Sequence, residues 1–484
     1  MNRQLRRVST VVLLMFLSLF CSTTVIGVFQ VDNLRVDKRN ARTLYQSYST
    51  ERGPILVGGQ PIAQSVPVDD QYKFLRKYDD PEMYSAVTGY FTLNQGMTGI
   101  EGALNDKLSG TANDQFLDQL NALLTGQNPK GAAVELTIDP DIQKAAWDAL
   151  GDQVGAIVAL EPKTGAILAM VSKPGFDPNT LASHDTASVL DEYQKLNGEK
   201  PNPLINRAIA GDLYHPGSVF KLVVAAAAFE SGKYTPDSEF DSPDRLQLPQ
   251  TTTVITNSGG RSCGGTPKAT IATAIRLSCN IPFAELGMEL GEDAIAETAQ
   301  EFGFGDRIAI PMPVTPSLYP TGMDLPHLAM SAFGQYDDRV TPLQVAMVSA
   351  AIANGGTLMQ PTLVKRVIAP DLTVLQPFQP SVYSRPMSRA TSAELTQIMV
   401  SGVSDGVASN ARISGVDVAG KTGTAQNGTG QPFTLWFTGF APAENPQVAV
   451  AVVLENGGGR GQSAVGNTLA APIGKKVLEA VLKK

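Results

Sequence analysis

Apolar and polar positions divide the chain at once. Three basic residues, Arg3, Arg6 and Arg7, precede an uncharged apolar run from Val8 to about Phe29. About 20 apolar residues suffice to span a bilayer as a helix. A basic flank stays cytoplasmic, so the pattern predicts a single membrane anchor with the remainder exported. A cleaved signal peptide is the rival, but the run is long and no small-x-small site follows it. Next come a mixed-charge stretch, Asp37 to Arg42, a strand-like segment at Ile55–Val57 and a Gly58-Gly59 turn. Residues 31 to about 133 read as a small mixed domain without identifiable chemistry, ending in a linker from Gly126 to Gly131. A second domain runs from about Val134 to the carboxyl end. Pro140 opens an amphipathic helix with Ile142, Ala145, Ala146, Ala149 and Leu150 on one side. Strands are predicted at Gly155–Leu160 and Ala166–Val171, with Pro162 to Gly165 turning between them. Residues 218 to 365 are mostly helical in pattern. Thr434–Phe440 and Val448–Leu454 are further strands, and a helix runs from about Thr468. Strands at both ends with helices between predict one sheet built from the domain's two ends and covered by helices.

Composition narrows function more than fold. The 484 residues carry a net charge of −8 without a basic stripe, which argues against nucleic acid as a partner. The cysteines, Cys21, Cys263 and Cys279, lack C-x-x-C spacing, and His184, His215 and His327 are scattered. Neither a metal site nor a Ser-His-Asp order is predicted. Cys21 follows Phe20, too bulky a neighbour for lipoprotein processing, and reads as a membrane residue.

Candidate chemistry begins at Ser218, in Tyr214-His215-Pro216-Gly217-Ser218-Val219-Phe220-Lys221. The apolar run Leu222–Phe229 reads as a buried helix that Ser218 opens. Residues at i and i+3 share a helical face, so Lys221 can reach the Ser218 hydroxyl. A serine hydroxyl is a weak nucleophile that needs an adjacent base. A desolvated lysine has a lowered pKa and can be that base. Taken alone, this motif is better explained by a capping serine and a surface lysine. Two later motifs change the weight: Ser278-Cys279-Asn280, then Lys421-Thr422-Gly423-Thr424. S-x-x-K, S-x-N and K-T-G in that chain order mark serine acyltransferases of the penicillin-binding and β-lactamase group. Lys163-Thr164-Gly165 also spells K-T-G, but it precedes Ser218 and lies in a predicted hairpin turn.

With these motifs, the chain resembles class B penicillin-binding proteins, in particular those of the actinobacterial A type. The resemblance extends to the anchor, Arg39-Asn40-x-Arg42, Arg52-Gly53, Gly99-Ile100-Glu101 and Trp436 to Pro442. It implies an α+β transpeptidase domain, an antiparallel sheet covered by helices with a helical subdomain, over residues 134–484. Residues 31–133 would form a non-catalytic pedestal or interaction domain, and residues 1–30 a cytoplasmic tail and anchor. It further implies a peptidoglycan D,D-transpeptidase that is inhibited covalently by β-lactams and uses no cofactor. Its substrates would be a D-Ala-D-Ala donor stem and an amine acceptor. Ser218 would attack the donor carbonyl, with Lys221 as base and Ser278 as proton relay. Asn280 would position Lys221 and the substrate amide. Lys421 and Thr422 would receive the substrate carboxylate, and Gly423 would let substrate lie along the strand edge. The backbone N–H groups of Ser218 and Thr424 would form the oxyanion hole. A polytopic membrane glycosyltransferase and division or elongation proteins are the implied partners. In an oxidising compartment, Cys263 and Cys279 would form a disulfide. Two other functions fit the same motifs: a hydrolase in which water resolves the acyl-enzyme, and a non-catalytic sensor or scaffold.

Overall fold

A computed structural model describes residues 2–30, 48, 50–112, 115 and 130–484. The Asp37–Arg42 stretch and most of the Gly126–Gly131 linker lie outside them. Helix α1 (Asn2–Thr24) continues into one π-helical turn, Val25–Phe29. The segment Arg3–Gly27 is long and apolar enough to cross a membrane, and none of it is buried against the protein.

Strands β1 (Ile55–Val57), β2 (Gln60–Pro67), β3 (Phe74–Tyr78) and β4 (Ala133–Leu136) begin a first sheet. Gly58 and Gly59 join β1 to β2 at φ of 57° and 78°, as a two-residue hairpin requires. Helix α2 (Pro140–Leu150) starts where Asp139 accepts the N–H groups of Asp141 and Ile142. Strands β5 (Gly155–Leu160) and β6 (Ile167–Lys173) then begin a second sheet. Helices α3 (Lys221–Glu230), α4 (Ile281–Leu290) and α5 (Pro342–Ala353) occupy the middle of the chain. Strands β7 (Val364–Ile368) and β8 (Val374–Pro377) return to the first sheet, and helix α6 (Arg389–Ser404) follows. Strands β9 (Ala419–Ala425), β10 (Thr434–Ala441) and β11 (Val448–Leu454) complete the second sheet before helix α7 (Gly466–Leu482).

The second sheet, ordered β9-β10-β11-β5-β6, is antiparallel throughout and is built from the two ends of the second domain. Side chains alternate across it. Trp436, Phe440, Ala449, Ala451 and Val453 enter a core with α3 and α5. Leu435, Phe437, Val448, Val450 and Val452 enter another with α2 and α7. Burial on both faces is why β11 is a continuous apolar run instead of an alternating one. Helix α7 approaches so closely that a Cβ at Gly474 would stand 2.2 Å from the Phe437 ring.

The first sheet, ordered β8-β7-β4-β1-β2-β3, draws its outer strands from residues far along the chain, with Val367 opposite Val134. Beside it, Glu101 is fully buried between Arg52 and Arg76, each Nε 2.6 Å from one carboxylate oxygen. Burial pushes the Glu101 carboxyl up, and the two guanidiniums more than offset it, holding it below its usual value. The middle of the chain is less purely helical than its pattern predicts. Two ribbons of three-residue strands occur there, Glu239–Asp241 with Lys268–Thr270 and Arg245–Gln247 with Val254–Thr256. Strands this short show no alternation that a sequence pattern can reveal.

Candidate active site

Ser218 lies in a 3-10 turn, Gly217–Val219, that feeds α3. The turn is pinned from two sides. The Gly217 N–H donates to Gly334 O at 2.8 Å. Gly334, at φ 83°, leaves no space for a side chain, since a Cβ there would meet Gly217 O at 1.9 Å. On the other side, Gly217 packs on Thr424 and Ala425 of β9, and Trp436 Nε1 donates to His215 O at 2.9 Å. Strand β9 is an edge strand, and the serine turn lies beside it.

Lys221, fully buried, points its Nζ at three acceptors: Ser218 Oγ at 3.0 Å, Ser278 O at 3.0 Å and Asn280 Oδ1 at 2.8 Å. Burial, and then the charge of Lys421, push its pKa well below the ordinary lysine value. Lys421 is also buried, and burial pushes its pKa down to about 7. Its Nζ donates to Ser278 Oγ at 2.7 Å and to Thr422 O at 2.8 Å. Ser278 therefore offers its carbonyl to one lysine and its hydroxyl to the other. It does so in a left-handed backbone, φ 61°, that is rarely adopted by a residue with a side chain.

That strained turn is held by Cys279, whose N–H donates to Ala274 O at 2.8 Å and whose sulfur is bonded to Cys263. Asn257, which the motifs do not single out, organises the same corner. Its Oδ1 accepts the N–H groups of Asn280 and Ile281, each at 2.9 Å. Asn280 Nδ2 donates to Thr256 O at 3.0 Å, which turns its Oδ1 toward Lys221.

The predicted site residues Ser218, Lys221, Ser278, Asn280 and Lys421 thus form one continuous hydrogen-bonded cluster. Thr422, Gly423 and Thr424 adjoin it along β9. The Thr422 hydroxyl donates to Val407 O at 3.1 Å, so its proton is committed within the protein. The missing side chain at Gly423 makes room for Pro216 O and for Trp436, 3.0 and 3.1 Å from a Cβ position. Lys163 is elsewhere, in the β5–β6 turn, where its Nζ donates to Asn445 Oδ1. Two histidines sit beside carboxylates, His184 near Asp70 and His327 near Asp324, while His215 accompanies Arg339.

Comparison with known proteins agrees with this geometry. Residues 155–479 match the penicillin binding protein transpeptidase domain, and residues 52–134 match the penicillin binding protein A dimerisation domain. The chain is 42% identical to peptidoglycan D,D-transpeptidase PbpA of Mycolicibacterium smegmatis, over 100% of both chains. Against the protein of the same name from Mycobacterium tuberculosis it is 41% identical, over 100% of this chain and 99% of the relative. A solved structure of penicillin-binding protein A from M. tuberculosis, as a ceftriaxone acyl-enzyme complex, superimposes with a TM-score of 0.86. That structure is 40% identical and covers 90% of this chain and 100% of its own. Full-length similarity and the assembled serine–lysine cluster lead to one assignment: the chain belongs to the penicillin-binding protein transpeptidase family, in its class B branch.

Proposed function

We propose that this chain is a peptidoglycan D,D-transpeptidase acting through an acyl-enzyme at Ser218, and a target of β-lactam antibiotics. The observation that carries the reading is the buried Lys221 Nζ, 3.0 Å from Ser218 Oγ and tied to both Ser278 and Asn280. Neutral Lys221 takes the Ser218 proton as Oγ adds to the carbonyl between the donor's last two D-alanines. Backbone N–H groups of Ser218 and Thr424 receive the oxyanion. Lys421, beside Ser278, receives the donor's terminal carboxylate. Collapse breaks the peptide bond, and the departing D-alanine amine takes a proton through Ser278. An amine of a neighbouring stem then attacks the ester, forms the cross-linking amide and returns Ser218 to its hydroxyl form. Asn280 holds Lys221 in place through these steps. The Thr422–Thr424 edge of β9 offers the donor a strand to lie along.

The apolar α1 fits a single-pass membrane anchor. The Cys263–Cys279 disulfide, of a kind that persists outside the cytoplasm, supports a catalytic domain on the outer side of the membrane, where peptidoglycan stems are met. Residues 31–133 serve as a non-catalytic pedestal or interaction domain ahead of the transpeptidase domain, 134–484. A polytopic membrane glycosyltransferase and division or elongation proteins are the partners this arrangement suits.

Intact-mass spectrometry after incubation with benzylpenicillin tests the reading, using the detergent-solubilised chain and Ser218→Ala. A stable gain of one drug molecule is expected, absent in the variant. Drug consumption without an adduct would reassign the protein as a hydrolase. Intact drug and no adduct would leave the non-catalytic scaffold reading.

A further inference from the structure

One fully buried acid has no part in the proposed reaction. Asp338 Oδ1 accepts the Ser331 hydroxyl at 2.7 Å, and its Oδ2 has no partner among the described residues. The neighbouring Arg339 guanidinium is engaged elsewhere. Its Nη1 lies 2.7 Å from His215 Nδ1 and donates to the carbonyls of Tyr336 and Asp338, and its Nη2 is 3.4 Å from Asp337 Oδ1. Burial pushes the Asp338 carboxyl well above the carboxylate range. Ser331 and Arg339 pull it down by less, and Asp337 adds to the rise. A buried carboxyl without a paired cation keeps its proton. The Tyr319 hydroxyl is likewise buried and without a partner among the described residues. Burial first, and then Asp338, push the Tyr319 phenol up, while Ser331 pulls it down. A proton on Asp338 Oδ2 gives that oxygen a bond to donate, with the Tyr319 oxygen as acceptor.

Asp338 fastens the loop behind the nucleophile. Ser331 ends the helix Leu325–Ser331, and its bond to Asp338 closes the seven residues that follow. Within them Gly334 and Tyr336 hold left-handed backbones, at φ 83° and 65°. A residue with a side chain keeps such a conformation only when its surroundings impose it. The loop grips the serine turn at two points. Gly334 O accepts the Gly217 N–H at 2.8 Å, and Val340 exchanges both backbone hydrogen bonds with Tyr214, at 2.8 and 3.1 Å. Together they set the peptide that joins Gly217 to Ser218, whose N–H is the proposed oxyanion donor. Tyr319 reaches the same place from behind. Its ring stacks on Phe220, 5.7 Å between centroids, and Phe220 lies between Ser218 and Lys221 in the chain.

We propose that Asp338 is a positioning residue for acylation, an uncharged buried acid that locks the 331–340 loop through Ser331 and thereby holds the Gly217–Ser218 peptide in its working orientation. The role rests on the acyl-enzyme proposed at Ser218.

The test compares benzylpenicillin acylation rates, by intact mass, for the detergent-solubilised full chain and for Asp338→Asn, Asp338→Leu and Ser331→Ala. Circular dichroism identifies the variants that fold. Asparagine keeps an acceptor for Ser331 and puts an N–H donor where the acid has its proton, so its rate is expected within about twofold of the unaltered chain. Its pH–rate profile is expected to overlay the original, because the acid stays neutral throughout. Leucine keeps the volume and offers neither group. Displacement of the oxyanion donor is then expected to slow acylation by about 10–100-fold. Ser331→Ala, which loses one hydrogen bond to the acid, is expected to slow it by about fivefold. Rescue by asparagine but not by leucine separates this role from space-filling. A folded Asp338→Leu that acylates at the original rate would overturn the inference, and where that variant does not fold, an original rate in Ser331→Ala would do so. An asparagine variant as slow as leucine, or one missing a limb of the pH profile, would overturn the assignment of a neutral acid. An unaltered chain that takes up no drug would overturn the transpeptidase reading and this inference together.

Discussion

Lys221 and Lys421 are both buried, yet the proposed reaction needs them in opposite charge states. Lys221 accepts a proton only when neutral, so its contribution to acylation rises with pH. Lys421 receives a carboxylate only when charged, and burial brings its pKa to about 7, so its contribution falls as pH passes that value. Peptide kcat/KM is therefore expected to be bell-shaped, with the falling limb near pH 7. In Lys421→Arg that limb should move out of reach, because a guanidinium keeps its proton. A pH–rate profile with the same falling limb in the variant would remove Lys421 from this role. Lys221→Met should slow acylation by about 10²–10⁴-fold, the usual worth of a positioned base. The drug-adduct rate measures this directly.

At the scale of elements, one corner between the Val254–Thr256 ribbon and α4 aims two side chains of the candidate site. Asn257→Ala would strip the Asn280 and Ile281 N–H groups of their acceptor. Each unpaired buried donor costs about 1–3 kcal/mol, so urea denaturation should show a loss of at least that size. Benzylpenicillin acylation should slow as well, because Asn280 would no longer be directed at Lys221. A variant that loses stability but acylates at the original rate would separate the corner from catalysis. The disulfide closes the same corner over a separation of 16 residues. Replacing both cysteines with serine is expected to lower stability by about 3 kcal/mol on loop entropy alone. At α7, Gly474→Leu would force Phe437 out of its place, and overpacking of this kind costs roughly 1–3 kcal/mol or more.

The whole molecule is stitched together by a sheet that ignores chain order. Strands β7 and β8 complete the sheet that β1 to β4 begin. A fragment ending at Leu136 leaves the β4 edge open, with a row of unpaired backbone groups. Such a fragment, residues 31–136, is expected to give no cooperative unfolding transition by circular dichroism. A sharp transition would show that β7 and β8 are dispensable. Glu101 is the electrostatic counterpart of that sheet. Glu101→Gln leaves two buried guanidiniums without their carboxylate, and breaking a buried pair costs about 3–5 kcal/mol. A smaller loss in calorimetry would mean that water reaches the arginines.

Short-range regularities are what the sequence determined by itself. The long apolar helix α1 was legible because a run of bilayer-spanning length shows in the sequence alone. Strands β5 and β11 were legible as apolar runs bounded by turns, and the Ser218–Lys221 pair because i and i+3 share a helical face. Strand β9 was not, since Gly-Lys-Thr-Gly-Thr has no apolar alternation and takes its conformation from pairing with β10. Nor were Asn257, Gly334 and Arg339, which matter only through partners at Asn280, Gly217 and His215. The return of β7 and β8 to the first sheet was equally invisible, because a strand's edge carries no local record of which distant edge will complete it. Only tertiary structure decided those pairings, through hydrogen bonds and close contacts that do not exist until the chain has closed on itself.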